Sequence, residues 1–166
     1  MINFKKTALA SAMMAATLTA TPLVLHAADT EQANKGEASL SFRYRYEMVD
    51  QENFAKDANA STLRTRLNYK TADYSGWRFF IEVDDVTEIW GDHYNAGAGN
   101  TPDRTQYPVV ADPTGTEINQ AWVSFQFNDK ASTKLGRQRI LLDNQRFVGG
   151  VGWRQNEQTY DALSFD

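Results

Sequence analysis

Apolar and polar residues alternate one by one through four long segments of the chain. In the first segment, even-numbered residues such as Phe42 are apolar and odd-numbered residues such as Arg43 are polar. A period of two places successive side chains on opposite faces of a β-strand. The pattern therefore predicts four amphipathic strands, at residues 38–48, 61–70, 76–86 and 117–127.

Two further segments are less regular. Residues 132–140 begin with Thr133 and Leu135 on one face but lose the alternation at Gly136, where a β-bulge is predicted. In residues 158–165, Asp161 shares its face with Leu163, so the facing of this strand stays open. The chain is thus expected to form about six strands.

The connections between these segments alternate in length. Residues 49–60, 87–116 and 141–157 are long connections, whereas 71–75 and 128–131 are short. Membrane β-barrels have short turns on one side and long loops on the other, and their strands run about 9–11 residues. Aromatic residues also gather at the short-turn end, as interfacial rings do in membrane proteins: Tyr69, Tyr74, Trp77, Phe125 and Phe127.

These features predict an all-β fold, a transmembrane antiparallel β-barrel whose apolar faces meet lipid. Because the smallest single-chain barrels have about eight strands, six strands predict the N-terminal portion of a longer barrel. The alternative fold is a secreted soluble β-sandwich that acts as a binding module, since a half-buried sheet in water also alternates. Solubility of the mature protein without detergent would favour that alternative.

The first 27 residues have the features of a secretory signal peptide. Lys5 and Lys6 precede a run of small and apolar residues that ends near Pro22, and cleavage is expected after Ala27 or Ala28. The run is too diluted by Ser and Thr for a spanning helix. The domain division is therefore a signal peptide at 1–27 and a barrel portion at 28–166, exported to the outer membrane.

Composition removes several classes of function. The 166 residues contain no cysteine, which excludes disulfides, thiolate metal sites and cysteine nucleophiles. The formal net charge of −4 provides no basic surface for nucleic acid. No cofactor is expected.

Several motifs in the second half resemble those of a known family. They are residues 115–122 (GTEINQAW), 135–138 (LGRQ), 143–156 (DNQRFVGGVGWRQN) and 160–163 (YDAL). They resemble the alginate-export family of Gram-negative outer-membrane porins, over about residues 36–166. The resemblance implies a monomeric barrel with an arginine-rich lumen that passes anionic polysaccharide or smaller solutes.

The polar faces carry the candidate chemistry. If the first two strands pair with residue numbers summing near 109, Arg45 lies beside Arg64 and Arg43 beside Arg66. Because like charges repel across a sheet, this cluster requires acidic neighbours or an anionic guest. Either the charges line an anion-selective path or they fill a hydrated lumen. The predicted pore-lining residues are Arg43, Arg45, Arg64, Arg66, Lys70, Arg78, Glu82, Asp84, Lys134, Arg137 and Arg139.

The long connection at 84–115 admits three interpretations. It could fold inward and constrict the pore, or it could hold calcium through Asp84, Asp85, Glu88 and Asp92. It could also remain a solvated loop. The solvated loop is favoured over the calcium site, because the fixed spacing of a calcium-binding loop is missing. The glycines at 149, 150 and 152 lack the strand-turn-helix context of a phosphate site and are expected to let a loop bend against the barrel wall.

The remaining alternative is an outer-membrane hydrolase. His93 is the one histidine after the signal peptide, and it would have to recruit Ser124 or Ser132 through folding; the carboxylates of Glu82 and Asp84 could suit glycoside cleavage. Neither arrangement has a recognisable spacing. The prediction is therefore a channel and not an enzyme.

Overall fold

The computed structural model describes residues 12–19, 23–25, 35–91 and 93–166. The described residues form one antiparallel sheet in which each long strand pairs with the next along the chain. A short 3-10 helix, Pro102–Arg104, is the one described helix, and no helix among these residues has the length and hydrophobicity to cross a bilayer. The strands are β1 (Ala12–Thr19), β2 (Leu23–Leu25), β3 (Glu37–Asp50), β4 (Ala58–Lys70), β5 (Trp77–Glu88), β6 (Gly115–Asn128), β7 (Ala131–Gln138) and β8 (Tyr160–Phe165).

The six predicted strands are present as β3 to β8, and the all-β prediction is confirmed. The described sheet is not closed, because its order runs from β1 and β3 to β8 without a ladder that joins the two ends. An open sheet of this kind is consistent with the N-terminal portion of a barrel.

Part of the predicted signal peptide contributes to the sheet. Strands β1 and β2 both pair with β3, through registers such as Leu18 with Tyr44 and Leu23 with Leu40. The rest of that peptide, including the expected cleavage positions Ala27 and Ala28, lies outside the described residues. Its removal remains a prediction.

The two faces of the sheet are inverted relative to a water-soluble protein. Phe42, Leu67, Phe79 and Leu135 are 43–56% exposed on one side, which we call the apolar face. On the opposite side, the polar face, Arg45, Glu47 and Asp84 are at most 2% exposed, together with other charged residues. Charged side chains are almost never fully buried in soluble domains unless they are paired. An exposed apolar face over paired internal charges is instead the arrangement of a barrel in lipid.

The register of β3 and β4 differs from the prediction by two residues. Arg43 lies opposite Arg64, and Arg45 lies opposite Thr62, so the paired numbers sum to 107 and not 109. A shift of two keeps every side chain on its predicted face, because the strand period is two. The arginines therefore share the polar face as expected, but with different partners.

The β-bulge occurs in a different strand from the one predicted. The β6–β7 ladder passes through Gly136, opposite Trp122, without a register shift, so the bulge predicted at Gly136 is wrong. The shifts instead lie in β6, at Asn119 opposite the Glu82–Val83 step and at Phe127. The first bulge turns two consecutive side chains towards Glu82: Asn119 Nδ2 donates to Glu82 Oε1 over 2.9 Å and Gln120 Nε2 over 3.0 Å.

The lengths of the connections also differ in part from the prediction. The β3–β4 connection, 51–57, has seven residues and the β4–β5 connection, 71–76, has six, so the contrast expected there is absent. The β4–β5 connection ends in a tight hairpin at Ser75 and Gly76, both with positive φ, as a type I′ turn requires. The β5–β6 loop (89–114) and the β7–β8 loop (139–159) are long, while β6 and β7 are joined by two residues.

The aromatic residues expected at the short-turn end are in place. Trp77 packs on Phe125 with ring centroids 4.7 Å apart, and Phe125 packs edge-on against Phe127 at 5.0 Å. Tyr69 and Tyr74 are exposed beside them. This group occupies the position of an interfacial aromatic belt.

Candidate functional site

The polar face carries a cluster of six guanidinium groups, which we call the arginine cluster. It brings together predicted and unpredicted residues from strands β3 and β4 and the β7–β8 loop. Five carboxylates lie among the six guanidiniums, all linked to them by ion pairs: Glu47, Glu82, Asp84, Asp112 and Glu157. The cluster consists of Arg43, Arg45, Arg64, Arg66, Arg139 and Arg154.

Three of these arginines hold the backbone of the β7–β8 loop. Arg43 donates to the carbonyl oxygen of Gly152 over 2.8 Å and also to that of Arg154. Arg45 Nη1 donates to the carbonyl of Trp153 over 2.7 Å, and Arg64 Nη1 donates to that of Gln155 over 3.2 Å. Four consecutive carbonyl groups are therefore capped by charged donors from β3 and β4.

Gln155 fixes the same stretch of loop to the sheet. Its side chain is fully buried; Nε2 donates to the Thr62 carbonyl over 3.1 Å and to Thr62 Oγ1 over 2.9 Å, while Oε1 accepts from Arg43 Nε over 3.2 Å. Its backbone N–H donates to Asp112 Oδ1 over 3.0 Å, which links the β7–β8 loop to the β5–β6 loop. Since a buried polar group left unsatisfied costs roughly 1–3 kcal/mol, these bonds hold the loop firmly in place.

Among the described residues, the guanidinium groups of two further predicted arginines of the cluster, Arg66 and Arg139, bind only acids. Arg66 makes a bidentate pair with Asp84, with Nε–Oδ1 at 2.7 Å and Nη2–Oδ2 at 2.6 Å. Arg139 Nη2 lies 2.6 Å from Glu82 Oε1, and its Nε binds Glu157. Planar guanidinium and carboxylate groups fit this geometry closely.

The remaining predicted pore residues are more scattered. Lys70 pairs with Glu37 at 3.6 Å and Arg78 with Asp73 at 3.2 Å, both near the short-turn end of the polar face. Lys134 also lies on this face, with its ammonium 4.9 Å from the centre of the Trp122 ring, which stacks on Phe80.

Arg137 does not lie with the other predicted residues. Its side chain lies on the face opposite to Lys134 and Gln138, which is the apolar face that also carries Leu135. There it is exposed and forms an ion pair with Asp161 at 3.0 Å. The facing of β7 and β8 is thereby settled: Arg137, Asp161 and Leu163 point away from the cluster. The loss of alternation at Gly136 hid this from the sequence.

The β5–β6 loop packs against the polar face instead of remaining solvated, so the favoured interpretation was wrong. Tyr94, Ala96, Tyr107 and Val110 are buried against the ends of β3 and β4. These four side chains form one hydrophobic cluster with Val49, Ala58 and Ala60. The loop thereby delivers Asp112 to Arg45, at 3.4 Å, and to Gln155.

The calcium interpretation is not supported by the described residues. Strand β5 continues through Asp84 and Asp85, so these two side chains point to opposite faces. Asp84 binds Arg66, Asp85 accepts from Thr87 and Thr116, and Glu88 pairs with Arg104. Asp92 lies outside the described residues, and those described contain no group of three or more acids or histidines fit to hold a metal.

The catalytic alternative lacks its geometry in the described part of the chain. His93 lies exposed at the long-loop end, where its carbonyl accepts from the Asn59 N–H. Ser124 and Ser132 lie near the short turn between β6 and β7, at the other end of the strands. Glu82 and Asp84 both serve as partners of arginines.

A cavity of about 530 Å³ opens beside the arginine cluster. Arg66, Arg139 and Glu157 form its charged side. The rest of its lining comes from the β7–β8 loop: Leu141, Gln145, Gly150, Val151, Gly152 and Trp153.

Glu157, at the centre of the charged side, titrates below its ordinary range. Burial raises the pKa of its carboxyl, but the positive charges of Arg66 and Arg139 outweigh burial and lower that pKa below 4.5. The carboxylate is therefore ionised at neutral pH.

A family model described as alginate export matches residues 36–166, more than three quarters of the chain. The chain belongs to the alginate export family. This family is one of transport proteins that form outer-membrane β-barrels, which agrees with the exposed apolar face and the paired internal charges. The resemblance inferred from the sequence motifs is thereby confirmed, and a porin-like export role follows at the level of the family. No curated protein and no solved structure matched the chain.

Sequence reasoning missed four members of this candidate site. Gln155, Arg154 and Glu157 lie in a glycine-rich connection, and Asp112 lies in the long β5–β6 loop. Gln155, for example, binds Asp112 and Arg43, which are 43 and 112 residues away in the chain, beyond any local pattern. The sequence did contain one indication of these residues. Several arginines share one face of β3 and β4, so acidic side chains from other parts of the chain are needed to balance their charge.

Proposed function

We propose that this protein is a passive outer-membrane channel whose interior favours anionic solutes. The observation that carries the proposal is the arginine cluster on the polar face, with six guanidiniums against five carboxylates beside an open cavity. Arginine-lined pores select anions because a guanidinium binds a carboxylate or phosphate through two parallel hydrogen bonds. The cargo class is a small anionic solute or an anionic polysaccharide.

The same proposal includes the route and the surroundings of the protein. Residues 1–27 direct export and are removed, and the mature chain closes as a monomeric barrel with lipid against its apolar faces. The exposed side chains of Phe42, Leu67, Phe79 and Leu163 support this contact, because an apolar surface of this extent is unfavourable in water.

The experiment is a planar-bilayer recording of the full-length protein under a salt gradient. The variant carries Arg66→Gln and Arg139→Gln, since these two residues line the cavity while Arg43 and Arg45 hold the loop backbone. Loss of two positive charges should lower the chloride-to-potassium permeability ratio roughly 30-fold, on the basis of about 1 kcal/mol for each charge in a water-like dielectric.

The matched control is Arg137→Gln, which removes a positive charge from the apolar face. Its permeability ratio should equal that of the wild type. An unchanged ratio in the double variant would contradict anion selectivity, and a wild-type protein that forms no conductance at all would contradict the channel itself.

A further inference from the structure

One carboxylate in the arginine cluster belongs to a loop and not to a strand. Glu157 Oε1 lies 3.3 Å from Arg64 Nη1 and 3.0 Å from Arg66 Nη2, while Oε2 binds Arg139 Nε. Two arginines from β4 and one from the start of the β7–β8 loop therefore surround a single side chain that is 8% exposed. This is the geometry expected for a bound anionic ligand.

The acids on the strands are held differently. Asp84 and Glu82 are central residues of β5 and sit in its ladders with β4 and β6, so they cannot leave the polar face while the sheet is intact. Glu157 lies three residues before β8, in a stretch without strand pairing. Of these three acids it is the one outside the strands, so its side chain can leave the arginines without breaking a ladder of the sheet.

The cavity lies directly beside this group. Its charged side is formed by Arg66, Arg139 and Glu157, and its volume of about 530 Å³ accommodates a molecule the size of a monosaccharide. A solute in the cavity is in contact with two of the three arginines that hold Glu157. Its own carboxylate would compete with that of Glu157 for the same donors.

We propose that Glu157 is a tethered counter-ion that occupies the carboxylate site of Arg64, Arg66 and Arg139, and that a small carboxylate solute binds there by displacing it. This inference rests on the proposed channel function and extends it. Glu157 sets the strength with which the interior holds an anion, since each solute exchanges with an internal competitor. The β7–β8 loop is then a determinant of selectivity.

The test is Glu157→Gln in the full-length protein, recorded in planar bilayers with glucuronate as the probe and glucose as its uncharged counterpart. Removing the competitor and one negative charge should raise the chloride-to-potassium permeability ratio about fivefold, as expected for one unit charge in a water-like dielectric. The glucuronate concentration that half-blocks the chloride current should fall by a similar factor. Glucose should have no effect on either protein.

The matched control is Glu117→Gln, which makes the same charge change at an exposed carboxylate that accepts a hydrogen bond from Asn156. Its effect on glucuronate block should be clearly smaller. If Glu157→Gln and the wild type are blocked equally, the inference is wrong while the channel function stands.

A folding check accompanies the recordings. Folded barrels migrate differently from unfolded chains on unheated gels, so insertion of the variant can be verified directly. If Glu157→Gln does not fold, Glu157→Asp decides the matter: the shorter side chain retains the charge but reaches the arginines less well, so glucuronate block should strengthen. Unchanged block in that variant would overturn the inference, and absence of wild-type conductance would overturn it together with the proposed function.

Discussion

Glu157 shows how the arginine cluster is balanced by single residues. Its carboxylate contacts Arg64, Arg66 and Arg139, and removing one member of such a buried group leaves charge without compensation. Its position near the end of a loop means that its contribution can be measured separately from the sheet.

The stability contributed by Glu157 should depend on pH in a defined direction. Because its folded pKa is lowered below the ordinary 4.5, its contribution is fully present above pH 4.5 and is lost as pH falls through the lowered value. We expect the free energy of unfolding of the wild type to exceed that of Glu157→Gln by about 3 kcal/mol at neutral pH. The difference should shrink in acid.

The measurement is urea unfolding in lipid vesicles, followed by tryptophan fluorescence at several pH values. Glu82 and Asp84 also face Arg66, but both are present in the wild type and in the variant, so the difference between the two curves isolates Glu157. A difference that stays constant, or grows, towards low pH would contradict the assignment.

At the scale of the elements, residue alternation was sufficient to place the strands. Four segments with a period of two became β3 to β6, and two less regular segments became β7 and β8, because side-chain alternation is a local property of the sequence. Register, bulges and loop paths depend instead on partners distant in the chain. For this reason the predicted β3–β4 register differs from the observed one by two residues, and the bulge at Asn119 was not predicted.

The residues of the candidate site divide in the same way. Arg43, Arg64 and Arg66 could be predicted from their shared face, whereas Arg137 could not, because the glycine beside it interrupts the pattern. The roles of Gln155 and Asp112 arise from two loops that meet over the sheet. The alternation of polar and apolar residues carries no information about a contact between two loops.

Gly136 provides a test at the level of one strand. Its φ is +127°, and a Cβ at this position would lie 2.3 Å from the carbonyl oxygen of Ala121. Gly136→Ala should therefore lower the free energy of unfolding by at least about 2 kcal/mol, since the backbone conformation is open essentially only to glycine. The measurement is the urea midpoint of the refolded barrel.

The control for this substitution is Gly152→Ala. Its added Cβ would meet its nearest neighbour, Glu157 Oε1, at 3.9 Å, which is ordinary contact. The urea midpoint should change little. Equal destabilisation by both substitutions would show that Gly136 has no special steric role.

At the scale of the whole molecule, the decisive property is which face meets lipid. Leu67 and Asn68 are neighbours in β4 on opposite faces: Leu67 is exposed on the apolar face, whereas Asn68 accepts a hydrogen bond from Ser39 and lies opposite Glu82. This pair allows the same substitution to be compared in two environments one residue apart.

We expect Leu67→Arg to impair membrane insertion and Asn68→Arg to be tolerated. A guanidinium on the lipid side costs roughly 2–4 kcal/mol near the bilayer centre, while at position 68 it gains Glu82 as a neighbour. The measurement is the fraction of protein that inserts into vesicles, scored by protection from trypsin. Equal insertion of the two variants would mean that lipid does not cover the apolar face.

The path of the β7–β8 loop also constrains the order of assembly. Gln155 reaches Arg43 and Thr62 across 112 and 93 positions of the chain, whereas each hairpin joins strands that are neighbours in sequence. Contacts between distant positions form slowly because the intervening chain must first be brought together. Hairpins therefore precede the filling of the interior, and a late kinetic phase should report the docking of this loop after the strands have paired.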